Sequence, residues 1–369
     1  MKMLSYLLNY ITGRMNKMKK TISFALALLL MLTAALPVFS AKADDSFGAY
    51  EHVFIIGIDG AGAAFEKVNS PNFDRIFADN AFIHNAKTEY ITTSAQNWGS
   101  ILLGVDYETH GMTNDSTKAN PHTSADEYHS IFYYARQAKP DAKLVSINHW
   151  PNINYGIVEN DINVKKVNRF TDTLVVDEVI NNVSFGNAPD LMFVQLDDVD
   201  HAAHTYGGFS DEYYAAVETA DKELGQIYDA VEKAGLMKNS LFIVVADHGE
   251  TTDGHGGQTV EESSAVLAVA GKTVNKGRIN ENAHNRDVSA IALYALGIEQ
   301  PEAFISSVPE GLFGEEREKT VEENPQEFTD RLLDLLAFPF IRGFNLIMPA
   351  FAWIYDIYYH AGIFTFLNN

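Results

Sequence analysis

The chain of 369 residues contains no cysteine. That absence removes disulfides, thiolate metal ligands and thiol nucleophiles together, so any metal chemistry must rest on oxygen and imidazole donors. Positive charge is the next scarcity: 27 lysines and arginines stand against 49 aspartates and glutamates, a formal net charge of -22. A surface so short of cations does not fit nucleic-acid binding through a basic patch. Long apolar runs are scarce as well. The one near the amino terminus, Ile22 to Leu36, follows Arg14, Lys17, Lys19 and Lys20 and precedes Ala41-Lys42-Ala43. This is the layout of a secretion signal over residues 1–43, with a small-residue cleavage site, and export to the cell envelope or the medium is the expectation. Met15 or Met18 would give that signal a more usual length.

What remains supports a full core. With 46% apolar residues, one large domain with a tail fits better than two equal domains. Runs of strand length recur at "HVFIIGI", "AKLVSIN", "LMFVQL" and "LFIVVA". Between them lie amphipathic stretches such as "DEYYAAVETADKELGQIYDAVEKAG", with apolar residues at helical spacing. Apolar strands alternating with helices predict an α/β fold, a mostly parallel central sheet with helices on both faces, over residues 47–308. In such sheets ligands bind beyond the carboxyl ends of the strands. Composition turns acidic from Pro309 to Arg331, which reads as a linker. Residues 332–369 form an apolar and aromatic tail broken by Pro339, Arg342, Pro349 and Asp356. The breaks argue against a clean membrane span, and the tail is expected as a helix that either lies on a membrane surface or packs on the catalytic domain.

Metal-ligand side chains cluster at the polar ends of the apolar runs. They are Asp59 in "VFIIGIDGAG", Asp200 and His204 in "LMFVQLDDVDHAAHTYG", Asp247 and His248 in "LFIVVADHGE", and His255 in "DGHGG". Oxygen and imidazole donors without sulfur suit zinc, manganese or iron better than calcium. Asp200 and His204, four apart, share one face if the turn after the strand becomes helical, while His201 points elsewhere. Asp197 and Asp198 compete with Asp200 but lack the four-residue interval to His204. Ser94 in "TTSAQNWGS" supplies a hydroxyl, with Thr93 beside it as the alternative. His110 is expected to fix a turn, and Trp98 to anchor a buried helix before serving as any substrate wall. "GIDGAGAAF" nearly spells a dinucleotide fingerprint, but Phe65 stands where the third glycine belongs.

The ordered set of Asp59, Ser94, Asp200-x-x-x-His204, Asp247-His248 and His255 resembles the alkaline phosphatase superfamily, and within it the nucleotide pyrophosphatase/phosphodiesterase branch. "SAQNWGSILLGVDYETHGM" is similar to that branch's nucleophile segment, and "DHAAHTYG" and "ADHG" to its metal segments. The resemblance implies an exported phosphoesterase with an alkaline phosphatase-like fold and two divalent metal ions, zinc first and manganese as the alternative. One ion would be held by Asp59, Ser94, Asp247 and His248, the other by Asp200, His204 and His255. Ser94 would be the nucleophile, passing through a phosphoseryl intermediate, with Asn97 and the amide after Ser94 on the non-bridging oxygens. The implied partner is a small phosphoester. Only six residues separate His248 from His255, so the insertion that shapes the substrate pocket of larger phosphodiesterases is expected to be missing. No arginine can be assigned to a free phosphate, which tilts the expectation toward diesters. Two other roles keep the same residues: transfer of a phosphoryl-linked group to an envelope acceptor, and a non-catalytic surface protein with a structural metal centre.

Overall fold

The structure, a computed structural model, describes residues 46–183 and 188–315. The signal segment, the tail at 332–369 and most of the acidic segment lie outside the described residues. Eight strands form one sheet: β1 (His52–Ile58), β2 (Ala81–Lys87), β3 (Leu144–Asn148), β4 (Lys165–Asn168), β5 (Leu191–Leu196), β6 (Ser240–Val245), β7 (Ser264–Ala270) and β8 (Gly277–Arg278). Their order is β4-β3-β5-β1-β6-β7-β2-β8, and only β7 runs against its neighbours. The helices are α1 (Pro71–Phe77), α2 (Ser94–Leu103), α3 (Tyr107–His110), α4 (Asn114–Ala119), α5 (Ile131–Ala138), α6 (Pro151–Gly156), α7 (Asp172–Val183), α8 (Asp198–Tyr206), α9 (Asp211–Lys233) and α10 (Asp287–Ala295).

Both faces of the sheet are covered, as the unbroken apolar strands require. Alternate residues of β1 divide between two cores. Val53 and Ile55 pack with α2, α5 and α10, through residues such as Ile101, Phe132 and Ile291. Phe54, Ile56 and Ile58 pack with α1, α7 and α9, through Phe73, Val179 and Leu224. The expected strands at β1 and β5 match in full, and the long amphipathic stretch is α9, whose Ser210 cap accepts from the Tyr213 N–H. The mixed edge was not anticipated. β2 interrupts its apolar residues with His84 and Asn85, and β7 is built largely from alanine and valine, so neither stands out from a helical or loop segment.

Parallel register sets where the strand ends fall. Ile58 pairs with Leu196, and Gly57 pairs with Val245, so β1, β5 and β6 finish side by side. Asp59, Asp197 and Asp247 therefore emerge together at one edge of the sheet. At the far end of the domain, the segment expected to begin a linker at Pro309 is still packed: Leu312 is buried, and the Phe313 ring stacks on Tyr294 at 4.9 Å. Two apolar residues inside an acidic stretch are enough to carry the domain past residue 308. Among the described residues, no helix is long and apolar enough to cross a membrane.

Candidate metal centre and nucleophile

Six of the seven expected ligands meet at this edge in two adjoining groups. Asp59, Asp247 and His248 converge first: His248 Nε2 lies 3.5 Å from Asp59 Oδ1 and 3.2 Å from Asp247 Oδ2. Beside them, Asp200 faces two rings, with His204 Nε2 3.3 Å from its Oδ2 and His255 Nε2 3.4 Å from its Oδ1. The four-residue interval works as expected, because α8 begins just ahead of Asp200 and puts His204 one turn above it. His204 Nε2 and His255 Nε2 approach to 3.2 Å. His255 spends its Nδ1 proton on the Thr92 carbonyl at 2.6 Å, so its Nε2 presents a bare lone pair, the form a metal ligand needs.

The loop after β1 reaches these groups because it is made of glycine. Gly60 has φ +66°, and a Cβ there would lie 2.9 Å from the Asp200 Cα. Gly62 has φ +51° and packs against Gly249, where a Cβ would come within 2.6 Å. The near-fingerprint "GIDGAG" thus serves close approach of backbone to backbone.

In Asp59 and Asp247 one carboxylate oxygen is held and the other is bare. Asp59 Oδ2 accepts from Trp98 Nε1 at 2.8 Å and Gln195 Nε2 at 2.9 Å, while its Oδ1 has no hydrogen-bond partner. Asp247 Oδ1 accepts the N–H groups of Gly60 and His248, and its Oδ2 has none. His248 Nε2 and Asp200 Oδ1 also lack partners. Buried polar atoms are normally paired, so four orphans aimed at one another mark a place that could hold a metal ion. Burial, then the Asp247 charge, pushes the Asp59 carboxyl well above the usual range, and burial does the same to Asp247. Burial pushes His248 down to about 3, keeping it neutral and able to ligate. For Asp200 burial opposes ionisation, but the bond to His204 and the nearby rings of His248 and His255 prevail and hold it down at about 2. His204 is raised in return, chiefly by Asp200.

Ser94 begins α2 and lines a cavity of about 260 Å³ with Asn114, Trp150, Asp197, Asp200 and His204. Thr93, the alternative nucleophile, precedes the helix and is not part of that wall. His201, expected to point away, also borders the cavity, since the first turn of α8 forms its rim. Among the described residues, no lysine or arginine lines it.

Asn97 does not sit where the resemblance put it. It is fully buried, with Oδ1 accepting from the Glu89 N–H and Asn285 Nδ2, and Nδ2 donating to the Ile91 and Thr93 carbonyls. All its capacity is used inside the protein, so it shapes the turn before Ser94 and reaches no ligand. The amide after Ser94 is also engaged: the Ala95 N–H donates to Asn114 Oδ1 at 2.9 Å. That bond fixes which end of Asn114 is oxygen and leaves its NH₂ as the free donor at the cavity. Asn114 was missed because it lies beyond the "THG" turn; its signal is the first position of a helix capped by the reciprocal Thr113 and Ser116 bonds.

Three further residues complete the centre. Glu250 lies within ligand distance of Asp200, His248 and His255, and both its oxygens are buried without partners. Burial, then Asp200, pushes its carboxyl up to about 10, a position that calls for a proton or a cation. Gln195 uses its whole amide: Oε1 accepts from the His149 and Trp150 N–H groups, and Nε2 donates to Asp59 and Asp197. It thereby ties the cavity wall to a ligand. His110, as expected, fixes the turn after α2, bonding the Gln96 carbonyl and the Met112 N–H.

The chain is 22% identical over 241 residues to a bis(5'-adenosyl)-triphosphatase of Pongo abelii, covering 61% of this chain and 53% of that protein. It is 21% identical over the same length to the Homo sapiens counterpart. The chain thus spans about half the length of these curated relatives. Among solved structures, murine ectonucleotide pyrophosphatase/phosphodiesterase 5 superposes with a TM-score of 0.58 at 13% identity, covering 70% of this chain and 97% of that one. The lipoteichoic acid synthase of Listeria monocytogenes gives 0.55 at 13% identity, covering 72% and 76%. These structural likenesses show the fold, a mostly parallel α/β sheet of the alkaline phosphatase kind. The type I phosphodiesterase/nucleotide pyrophosphatase family model matches residues 53–308, well over half of the chain, and the protein belongs to that family.

Proposed function

We propose that this protein is an exported, metal-dependent phosphoesterase that cleaves small phosphodiesters through a serine nucleophile. The observation that carries the reading is the convergence of bare ligand atoms, Asp59 Oδ1, Asp247 Oδ2, His248 Nε2 and Asp200 Oδ1, beside the cavity that Ser94 lines. Asp59, Asp247 and His248 would hold one cation, and Asp200, His204 and His255, with Glu250 adjoining, the other. The donor chemistry favours zinc, with manganese second. Two such cations supply positive charge that makes a serine hydroxyl acidic and offsets the charge gathering on the attacking and leaving oxygens.

The remaining work falls to the chain. Ser94 Oγ gives its proton to solvent and forms the new P–O bond as one ester alkoxide departs and takes up a proton from solvent. This leaves a phosphoseryl group that still carries the second ester substituent; water then cleaves the serine–phosphorus bond and Ser94 regains its proton. Asn114, anchored by its carbonyl oxygen, offers its N–H donors to a non-bridging oxygen as charge develops there. Ser94 also opens the ten-residue helix α2, whose N-terminal end favours an anion. With no lysine or arginine at the cavity, a singly charged diester fits better than a doubly charged monoester. Export rests on the layout of residues 1–43, and the tail at 332–369 is proposed as a contact with the membrane surface.

The test is turnover of bis-4-nitrophenyl phosphate against 4-nitrophenyl phosphate by the full chain with zinc or manganese. Ser94→Ala should abolish it while leaving cation binding intact, and Asn114→Ala should lower kcat by about 100-fold. Equal turnover by Ser94→Ala would overturn the serine mechanism, and faster cleavage of the monoester would overturn the diester preference.

A further inference from the structure

His255 poses a problem that the other ligands do not. It stands on a loop between Gly254, at φ +106°, and Gly256, at φ +111°, with six residues separating it from His248. Glycines on both sides let the ring turn toward Asp200, but they also leave the loop with the largest conformational entropy to lose. Neither a strand nor a helix carries this residue.

A buried carboxylate does what an element would. Glu262 is 4% exposed and has no lysine or arginine partner among the described residues. Its Oε1 accepts the Gly257 N–H at 2.7 Å, and its Oε2 accepts the Thr259 N–H at 3.0 Å and the Thr259 hydroxyl at 2.6 Å. Its own carbonyl accepts the Gly249 N–H at 2.8 Å, next to His248. Gly257 leaves room for this contact, since a Cβ there would sit 2.9 Å from the carboxylate and press it aside.

Thr92 closes the loop from the other side. This fully buried residue takes the His255 Nδ1 proton on its carbonyl at 2.6 Å, accepts the Gly256 N–H on its hydroxyl at 3.0 Å, and donates that hydroxyl to the Gly257 carbonyl at 3.0 Å. It lies two residues ahead of Ser94.

We propose that Glu262 and Thr92 are positioning residues that together hold His255 in its ligating pose and set it in register with the nucleophile Ser94. The inference rests on the two-cation reading of the site. It makes a claim specific to one cation: the clamp's side chains touch the His255 loop and leave Asp59 held by Trp98 and Gln195 and Asp247 held by Gly60. Losing the clamp should therefore weaken one cation and spare the other.

The experiment is zinc titration of the full chain against a chromophoric chelator, with bound metal counted after dialysis and the fold followed by circular dichroism. Glu262→Gln replaces an acceptor with a donor that faces N–H groups; Thr92→Val removes the hydroxyl but keeps the carbonyl; Thr92→Ser keeps both. Wild type and Thr92→Ser should bind two zinc ions alike. Glu262→Gln and Thr92→Val should retain one at wild-type affinity and bind the other about 10- to 100-fold more weakly, the range for lost outer hydrogen bonds at metal ligands. Should Glu262→Gln fail to fold, Thr92→Val alone carries the same expectation. Two ions bound at wild-type affinity by the variants would overturn the clamp and leave the functional reading standing. A wild-type chain that binds fewer than two would overturn the two-cation reading and the clamp with it.

Discussion

A single aromatic nitrogen shows how finely the ligands are set. Trp98 Nε1 occupies one oxygen of Asp59, and the ring lies so close to β1 that a Cβ on Gly57 would come within 2.4 Å of it. Trp98 was expected as a buried anchor, and it is one, yet its bond to Asp59 depends on a contact 41 residues away in sequence that no local pattern encodes. Gly57→Ala should force the indole aside, costing about 1–3 kcal/mol by overpacking. Urea denaturation would show this as a lower midpoint with an unchanged slope. An alanine variant as stable as wild type would mean that the ring can shift freely, and Asp59 would then need another explanation for its fixed orientation.

Between residue and domain, the α2–α3–α4 segment carries Ser94, the proposed nucleophile, and His110 fixes its turn. Burial presses this imidazole from 6.5 down to about 4, so it stays neutral while donating to the Gln96 carbonyl and accepting from Met112. The unfolded chain takes up a proton near 6.5 and the folded one does not until about 4. Stability from this group is therefore complete above the unfolded value and is lost as pH falls between the two, by at most about 3 kcal/mol. His110→Gln should be the less stable protein at neutral pH, and its deficit should shrink toward about pH 4.5 in paired urea melts. A deficit independent of pH would show that the ring protonates in the fold. The same segment marks a limit of motif reading. The turn role of His110 was legible from "ETHG", whereas Asn97 came from the resemblance and Asn114 from no local pattern, because only the path of the chain after the turn brings Asn114 back to Ala95.

For the molecule as a whole, the cost of the site is electrostatic. Asp59, Asp247 and Glu250 are buried together, and each is raised by burial and by neighbouring carboxylates. Cations that bind only the folded chain should relieve that repulsion. At 100 times its Kd each would add about 2.7 kcal/mol, which for a domain of this size raises Tm by roughly 5–10 °C. Calorimetry before and after chelation, with zinc restored in a third scan, would measure the effect. A Tm indifferent to chelator would show that the cluster is held by protonation alone.

Strand-length apolar runs, a helical interval between Asp200 and His204, and carboxylates at the polar ends of the runs were enough to specify a parallel α/β sheet and the ligand types at its edge. These follow from local periodicity, because a strand repeats every two residues and a helix every 3.6, and a linear chain displays both. Tertiary structure alone decided which oxygen of each carboxylate is bare, that Asn97 is inside and Asn114 at the cavity, and that Glu250 and Glu262 join the site. Those outcomes depend on distances between segments far apart in the chain, and side-chain hydrogen bonding becomes definite only when the sheet register and the loop paths have brought donor and acceptor together.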